Sequence, residues 1–140
     1  MAKSSKKSGI TIKATTTSFR IAELGQAGIR TELDNKGTIT GRYAGVHWDT
    51  AEIQMNMDGT SSWQVRFIQM TNKGDMLVGT GTGTGEAPDA RGNAKLKGEG
   101  TLMTMSQRLA DLNGKRWICE VRNNMVTGKA VISGISIARR

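Results

Sequence analysis

Few side chains in this sequence are of types that do acid–base or nucleophilic chemistry near neutral pH. His47 is the only histidine and Cys119 the only cysteine among 140 residues. His47 follows Tyr43 by four residues, and it could act as a general acid or base beside Glu99 or Glu120 if it faced a cavity. We expect it instead at a strand end on the surface, where it has no catalytic role.

The other reactive residues show no recognised arrangement. One histidine and one cysteine at no ligand-like spacing do not make a zinc site, so we predict no metal and no cofactor. In the predicted strands Glu99 and Glu120 fall on the outward face, as solvated charges. Cys119 falls on an inward face, where it behaves as a small hydrophobic residue rather than a nucleophile. The sequence therefore favours a binding protein over an enzyme.

Glycines alternate with threonines in the segment GTGTGTGE, residues 79–86. The segment lacks the GxxxxGK[ST] spacing of a Walker loop and the following helix of a GxGxxG site, which argues against nucleotide binding by either route. In a strand, these glycines would leave one face without side chains, and something bulky must cover it. We expect that cover to be Trp63 or Trp117; a ligand or a protein interface is the alternative.

The formal net charge of +8 is concentrated at the two ends of the chain. Residues 1–20 hold five basic residues and no acidic one, and the chain ends in two arginines, which leaves 13 basic against 12 acidic residues between them. We expect a basic flexible tail over residues 1–8 and a single domain over 9–140. The two basic ends of the chain are either merely solubilising or bind nucleic acid or another polyanion. The residues that would do so are Lys3, Lys6, Lys7, Arg139 and Arg140.

Strand patterns dominate the rest of the sequence. Apolar and polar residues alternate in runs rich in Ile, Val and Thr, as in half-buried strands, and most clearly over residues 48–57. Turn clusters separate these runs, residues 106–112 indicate a short helical turn, and residues 22–27 indicate a helical turn or a loop. The pattern predicts an all-β fold, an antiparallel up-and-down barrel of about eight strands. An even number of strands would bring both chain ends to the same rim.

The hairpin around Asp58-Gly59 illustrates how the pattern fixes the register. A two-residue loop would place Ile53 opposite a glutamine, whereas a three-residue loop over 58–60 places it opposite Val65. We therefore predict the three-residue loop, with Gly59 near a bulge.

Trp48, Trp63 and Trp117 all lie in or beside predicted strands, and we expect the aromatic residues on inward faces. There they either fill a core or line a cavity, because an eight-stranded barrel can hold one small ligand. The predicted ligand-binding residues are Trp63, Val65, Phe67, Trp117, Met55, Tyr43 and His47.

The segments GTGTGTGE, AKLKGEGTLMT and LADLNGKRW, within residues 58–135, resemble the C-terminal halves of small bacterial barrels. Those barrels are similar to the allene oxide cyclase and avidin-like calycins. The resemblance implies an eight-stranded, calycin-like barrel with a cavity and, often, a homo-oligomer. It transfers no catalytic residue, since no active-site motif matches.

Three functions follow as hypotheses. The first is a barrel that binds a small apolar or amphipathic ligand. The second is an oligomeric interaction protein whose basic ends contact nucleic acid or another polyanion, and the third is a cyclase- or isomerase-like enzyme using His47 or Tyr43. The chain has no apolar run of the ~18 residues that a membrane span needs and no secretory signal. Together with a cysteine that has no partner in the chain, these features predict a cytoplasmic protein.

Overall fold

The computed structural model describes residues 9–137, with side chains described up to residue 132, and these residues form a closed antiparallel β-barrel. Each strand is hydrogen-bonded to the next along the chain, and the eighth pairs with the first. The predicted up-and-down barrel of eight strands is confirmed. The strands are β1 (Ile10–Gly25), β2 (Gly28–Gly41), β3 (Gly45–Asn56), β4 (Ser61–Thr71), β5 (Met76–Gly85), β6 (Asn93–Thr104), β7 (Lys115–Asn124) and β8 (Lys129–Ile137).

The two ends of the barrel differ. The hairpins β1–β2, β3–β4, β5–β6 and β7–β8 lie at one end, which we call the mouth. The connections β2–β3, β4–β5 and β6–β7 lie at the opposite end, which we call the closed end. β1 starts at the closed end, where Ile10 pairs with Ile135 of β8. The first and last strands therefore meet at one rim, as an even strand number predicts.

The β6–β7 connection closes its end of the barrel. The predicted helical turn at 106–112 is a 3-10 helix limited to Ala110–Leu112. Leu109 and Leu112 are buried in one cluster with Ile39 and Leu77. The Gly114 N–H donates to the Leu102 carbonyl oxygen, which returns the chain into β7.

The wall of the barrel is less complete at the mouth, because β1 extends further than its partner β8. In the described part of the chain, β1 pairs with β8 only from Ile10 to Thr15, whereas it pairs with β2 along its whole length. Its register against β2 shifts at Thr17 and again at Ala22. Residues 22–27, which the sequence indicated as a helical turn or loop, mostly continue this strand. The outer part of β1 is therefore a single-sided extension beside the mouth.

The middle of the inner face of β5 and β6 carries no side chains, because glycines occupy its inward positions. The ladder pairs Gly81 with Gly100 and Gly83 with Gly98. We call this surface the glycine wall, and it consists of Gly79, Gly81, Gly83, Gly98 and Gly100.

Three aromatic rings lie directly on the glycine wall. A β-carbon at Gly81 or Gly100 would overlap the ring of Trp117, and one at Gly83 or Gly98 would overlap the ring of Trp63. Phe67 occupies the same position over Gly79. The prediction that tryptophans cover the alternate glycines is confirmed, and the wall is part of the interior of the barrel.

The β3–β4 hairpin has the predicted three-residue loop in a different place. Asn56 N–H donates to the Thr60 carbonyl oxygen across a loop over residues 57–59, and Gly59 has φ +88°. Ile53 consequently faces Trp63 and not Val65. The Asp58 carboxylate accepts from the Thr60 N–H and favours this position of the loop. Because the shift is two residues, every side chain keeps its predicted face.

The described residues include no helix with the length and apolar character that crossing a membrane requires.

The glycine wall predicts a position-specific cost for adding one methyl group. In Gly81→Ala, the new methyl would meet the Trp117 ring and lie 2.8 Å from the Glu99 carbonyl oxygen. We expect overpacking to lower the free energy of unfolding by about 1–3 kcal/mol, as measured by urea denaturation. The control is Gly25→Ala, which has open space around it and no positive φ. Equal stability of Gly81→Ala and Gly25→Ala would contradict the packing.

Candidate functional site

The barrel interior contains a cavity of about 680 Å³. Pockets of roughly 300–1,000 Å³ are typical of small-molecule sites, whereas well-packed cores have few voids larger than a water molecule. The residues predicted to bind a ligand all line this cavity, namely Trp63, Val65, Phe67, Trp117, Met55, Tyr43 and His47. The basic residues predicted to bind a polyanion, Lys3, Lys6, Lys7, Arg139 and Arg140, lie outside the described side chains.

The walls of the cavity are mostly apolar because apolar residues occupy the inward positions of the alternating strands. On β3, Ala51, Ile53 and Met55 point inward, and β2 contributes Ile29 and Leu33. Aromatic rings form the opposite side, with the Phe67 and Trp117 ring centroids 5.9 Å apart at an interplanar angle of 65°. A ligand against these walls would therefore contact hydrocarbon and aromatic surfaces.

The prediction that the aromatic residues point inward is wrong for Trp48. This side chain is 42% exposed, and the Lys36 ammonium lies 5.9 Å from the centroid of its ring. Trp48 lies two residues before Thr50 and therefore on the same face of β3. The alternation that turns Ala51 inward turns this face outward. Trp63 and Trp117 are thus the two tryptophans that face the cavity.

The expectation of a surface histidine is also wrong. His47 is only 3% exposed and lines the cavity near its closed end. The inward alternation of β3 continues past Ala51 toward the start of the strand, so that it includes Asp49 and His47. The ring of His47 stacks at a tilt against Phe67, with centroids 5.6 Å apart.

A chain of hydrogen bonds, which we call the polar floor, runs from Tyr43 near the closed end of the cavity to Thr16 beside the β7–β8 hairpin. Its members are Tyr43, Gln69, His47, Asp49, Asn35 and Thr16. The Tyr43 hydroxyl donates to Gln69 Oε1 at 2.6 Å, and Gln69 Nε2 lies 3.1 Å from His47 Nδ1. His47 Nε2 lies 2.7 Å from Asp49 Oδ2, Asn35 Nδ2 donates to Asp49 Oδ1 at 2.7 Å, and the Thr16 hydroxyl donates to Asn35 Oδ1 at 2.8 Å.

The direction of the hydrogen bond from Tyr43 to Gln69 sets the order of donors along the polar floor. Because Gln69 Oε1 accepts from the Tyr43 hydroxyl, the Gln69 amide nitrogen must donate to His47 Nδ1. His47 Nδ1 then carries no proton, and His47 Nε2–H donates to Asp49. Asp49 accepts at both oxygens, as a carboxylate does. The floor therefore holds a neutral imidazole beside one buried negative charge.

Burial reinforces the donor role of Tyr43. Removal of its phenol from water disfavours the phenolate and raises the pKa of Tyr43 above its ordinary value. The hydroxyl consequently keeps its proton at neutral pH, as its bond to Gln69 requires. Cys119 of β7 also lines the cavity. Burial raises the pKa of its thiol to about 11.

Sequence reasoning missed Asp49 and its partners Asn35 and Gln69. Asp49 lies two residues before Ala51, and Gln69 two residues after Phe67, so extending the inward alternation of β3 and β4 would have located both. Asn35 carried no comparable signal, because it sits in the turn-like cluster DNKG, which the structure places inside β2.

We expect Tyr43→Phe to destabilise the protein. The substitution leaves the buried Gln69 Oε1 without its donor, which typically costs about 1–3 kcal/mol of unfolding free energy. Urea denaturation measures the loss. The control is Trp48→Phe, which changes an exposed aromatic ring, and its free energy of unfolding should lie within about 0.5 kcal/mol of the parent value. A Tyr43→Phe variant as stable as the parent would show that the polar floor is not a connected chain.

Cys119 provides a pH-dependent readout of the interior. Only the thiolate reacts with iodoacetamide, and a pKa near 11 leaves little thiolate at pH 8. We expect alkylation of the folded protein to be about a hundredfold slower than of the protein unfolded in guanidinium. The folded rate should rise about tenfold per pH unit above pH 8; a rate that levels off near pH 9 would contradict the raised pKa.

The sequence matches no protein family and no curated protein. Solved structures resemble the chain at low identity. A protein with unknown function from Clostridium acetobutylicum is 13% identical, with a TM-score of 0.80 over 94% of this chain and 95% of that one. A β-barrel-like protein from Acinetobacter baumannii is 13% identical, with a TM-score of 0.77 over 92% of each chain.

An enzyme from Penicillium herquei is 18% identical to the chain, with a TM-score of 0.63 over 91% of this chain and 90% of that one. At such identities the similarities concern the arrangement of the strands and carry no shared site. The comparisons therefore show the fold of this chain, an eight-stranded β-barrel, and that alone.

Proposed function

We propose that the protein binds a small, mainly apolar ligand inside its barrel. The observation that carries the proposal is the cavity of about 680 Å³, which the protein's own side chains leave unfilled. Aromatic and aliphatic side chains on most of its surface favour an apolar body, since burying apolar area contributes about 25 cal/mol per Å². The polar floor at one end would orient the ligand.

The mouth supplies an entry route for such a ligand. Phe19 and Ile21 of the extended β1 line the outer cavity and are 60% and 58% exposed. Large exposed apolar side chains at the rim of a cavity are typical of ligand-binding grooves. Apolar surface thus runs continuously from the rim toward the interior.

The proposal agrees with the resemblance to calycin barrels, and we extend that resemblance to this chain as part of the proposal. Allene oxide cyclase-like and avidin-like barrels share the eight-stranded, up-and-down arrangement with an internal site. Homo-oligomer formation and a cytoplasmic location belong to the same proposal, the latter because a lone cysteine suits a reducing compartment.

Catalysis is a second candidate, and the position of His47 is the observation that favours it. The enzyme hypothesis required His47 to face a cavity, and it does. Both ring nitrogens are, however, already engaged by Gln69 and Asp49. His47 would have to exchange one of these partners for substrate, so binding without reaction is the simpler function. For the polyanion hypothesis, the described residues supply no support.

A neutral apolar dye tests the proposed function. N-phenyl-1-naphthylamine should gain fluorescence with the protein, and it should alter the emission of Trp63 and Trp117 in a Trp48→Phe background that removes the outward tryptophan.

Two neighbouring substitutions on β4 locate the bound dye. Val65→Trp projects into the cavity and should lower dye affinity at least about tenfold by filling it, whereas Arg66→Trp on the outer face should leave affinity unchanged. Equal effects of the two variants would place the dye outside the barrel, and absence of dye binding to the parent would refute the proposal.

A further inference from the structure

We propose that the polar floor binds the protonated amine of an amphipathic ligand, with Asp49 as its counter-ion. The inference rests on the proposed function and names the class of ligand, an organic ammonium ion with an apolar body. Three independent features of the cavity lead to it.

The first feature is the unused capacity of Asp49. Its carboxylate is 5% exposed and lines the cavity. A carboxylate has about four acceptor positions, and Asn35 and His47 each fill one. Both partners are neutral by the donor order of the polar floor, so the negative charge is hydrogen-bonded but not compensated. A buried charge of this kind favours a cationic partner.

The second feature is the aromatic surface beside that charge. Phe67 lies directly opposite Asp49 in the β3–β4 ladder, and Trp117 packs against Phe67. The faces of aromatic rings attract ammonium groups within about 6 Å, and the attraction is larger in a site removed from water. A carboxylate and aromatic rings therefore offer an ammonium ion two kinds of contact at once.

The third feature is the absence of a competing cation inside. Among the described residues that line the cavity, Lys129 is the one lysine or arginine, and it lies at the mouth, where β8 begins. An anionic ligand reaching the polar floor would meet Asp49 without a positive group to balance it. The cavity should accordingly disfavour fatty acids and other carboxylates.

Three ligands with the same ten-carbon chain separate charge from hydrophobicity. Decylamine, decanol and decanoate are titrated at pH 7 against protein loaded with N-phenyl-1-naphthylamine, and their displacement constants are compared. We expect decylamine to bind at least about tenfold more tightly than decanol, because a charge-assisted hydrogen bond exceeds a neutral one. Decanoate should bind most weakly.

Asp49→Asn tests whether this residue is the source of the preference. The polar floor can absorb the change: the Asn35 amide turns over, its oxygen accepts from the new amide, and its nitrogen donates to the Thr16 hydroxyl. We expect decylamine and decanol to bind this variant within about twofold of each other, with each displacement constant calculated from the dye affinity measured for the variant itself. The matched control is Asp34→Asn, which removes the same charge from an exposed residue on the outer face and should keep the full preference.

The outcomes separate the inference from the function on which it rests. Failure of the dye to bind the parent protein refutes ligand binding itself. Dye binding with decanoate or decanol at least as tight as decylamine overturns the inference alone, as does an Asp49→Asn variant that keeps the amine preference. If Asp49→Asn does not fold, NMR decides: nuclear Overhauser contacts from the methylene beside the ammonium to the Phe67 ring support the proposal. The same contacts to Phe19 or Ile21 at the mouth overturn it.

Discussion

The packing of Trp63 and Trp117 on the glycine wall determines the shape of the whole interior. Each ring lies where side chains of β5 and β6 would otherwise be, so two of the largest side chains occupy only one side of the barrel. The space across from them stays open and becomes the cavity. Larger residues on the wall would force the rings toward β2 and β3, and the barrel would then have a filled core in place of a site.

The polar floor imposes a different constraint, because its members depend on one another. Every donor from Tyr43 to Thr16 has a partner, and reversing any one of the hydrogen bonds would leave a buried group unsatisfied. Low polarity around such a chain strengthens each bond and raises the cost of breaking one. Apolar walls and a satisfied, charged floor thus coexist because the polar groups form one connected chain, from Tyr43 near the closed end to Thr16 beside the β7–β8 hairpin.

The alternation of residue types was sufficient to predict the strand number, the up-and-down order and the aromatic cover of the glycine wall. The same rule also turned Met55, Trp63, Val65, Phe67 and Trp117 inward, where they line the cavity. It failed where it was not extended far enough: continued two residues toward the start of β3, it would have placed His47 and Asp49 inside and Trp48 outside. The hydrogen bonds that cross between strands in the polar floor could not be predicted, because they depend on the exact register of those strands, which is set in part by loops such as 57–59.

The outer part of β1 shows how the fold avoids association through strand edges. Among the described residues, the last backbone hydrogen bond on the β8 side of this strand is that from the Thr16 N–H to the Gly128 carbonyl oxygen. An exposed edge of the kind that follows invites a second chain to pair with it. The register shifts at Thr17 and Ala22 interrupt the regular spacing that pairing needs, and the charges of Arg20 and Glu23 discourage a neighbour. Irregularities that look like defects in the strand pattern therefore make this edge a poorer template for regular pairing with another chain.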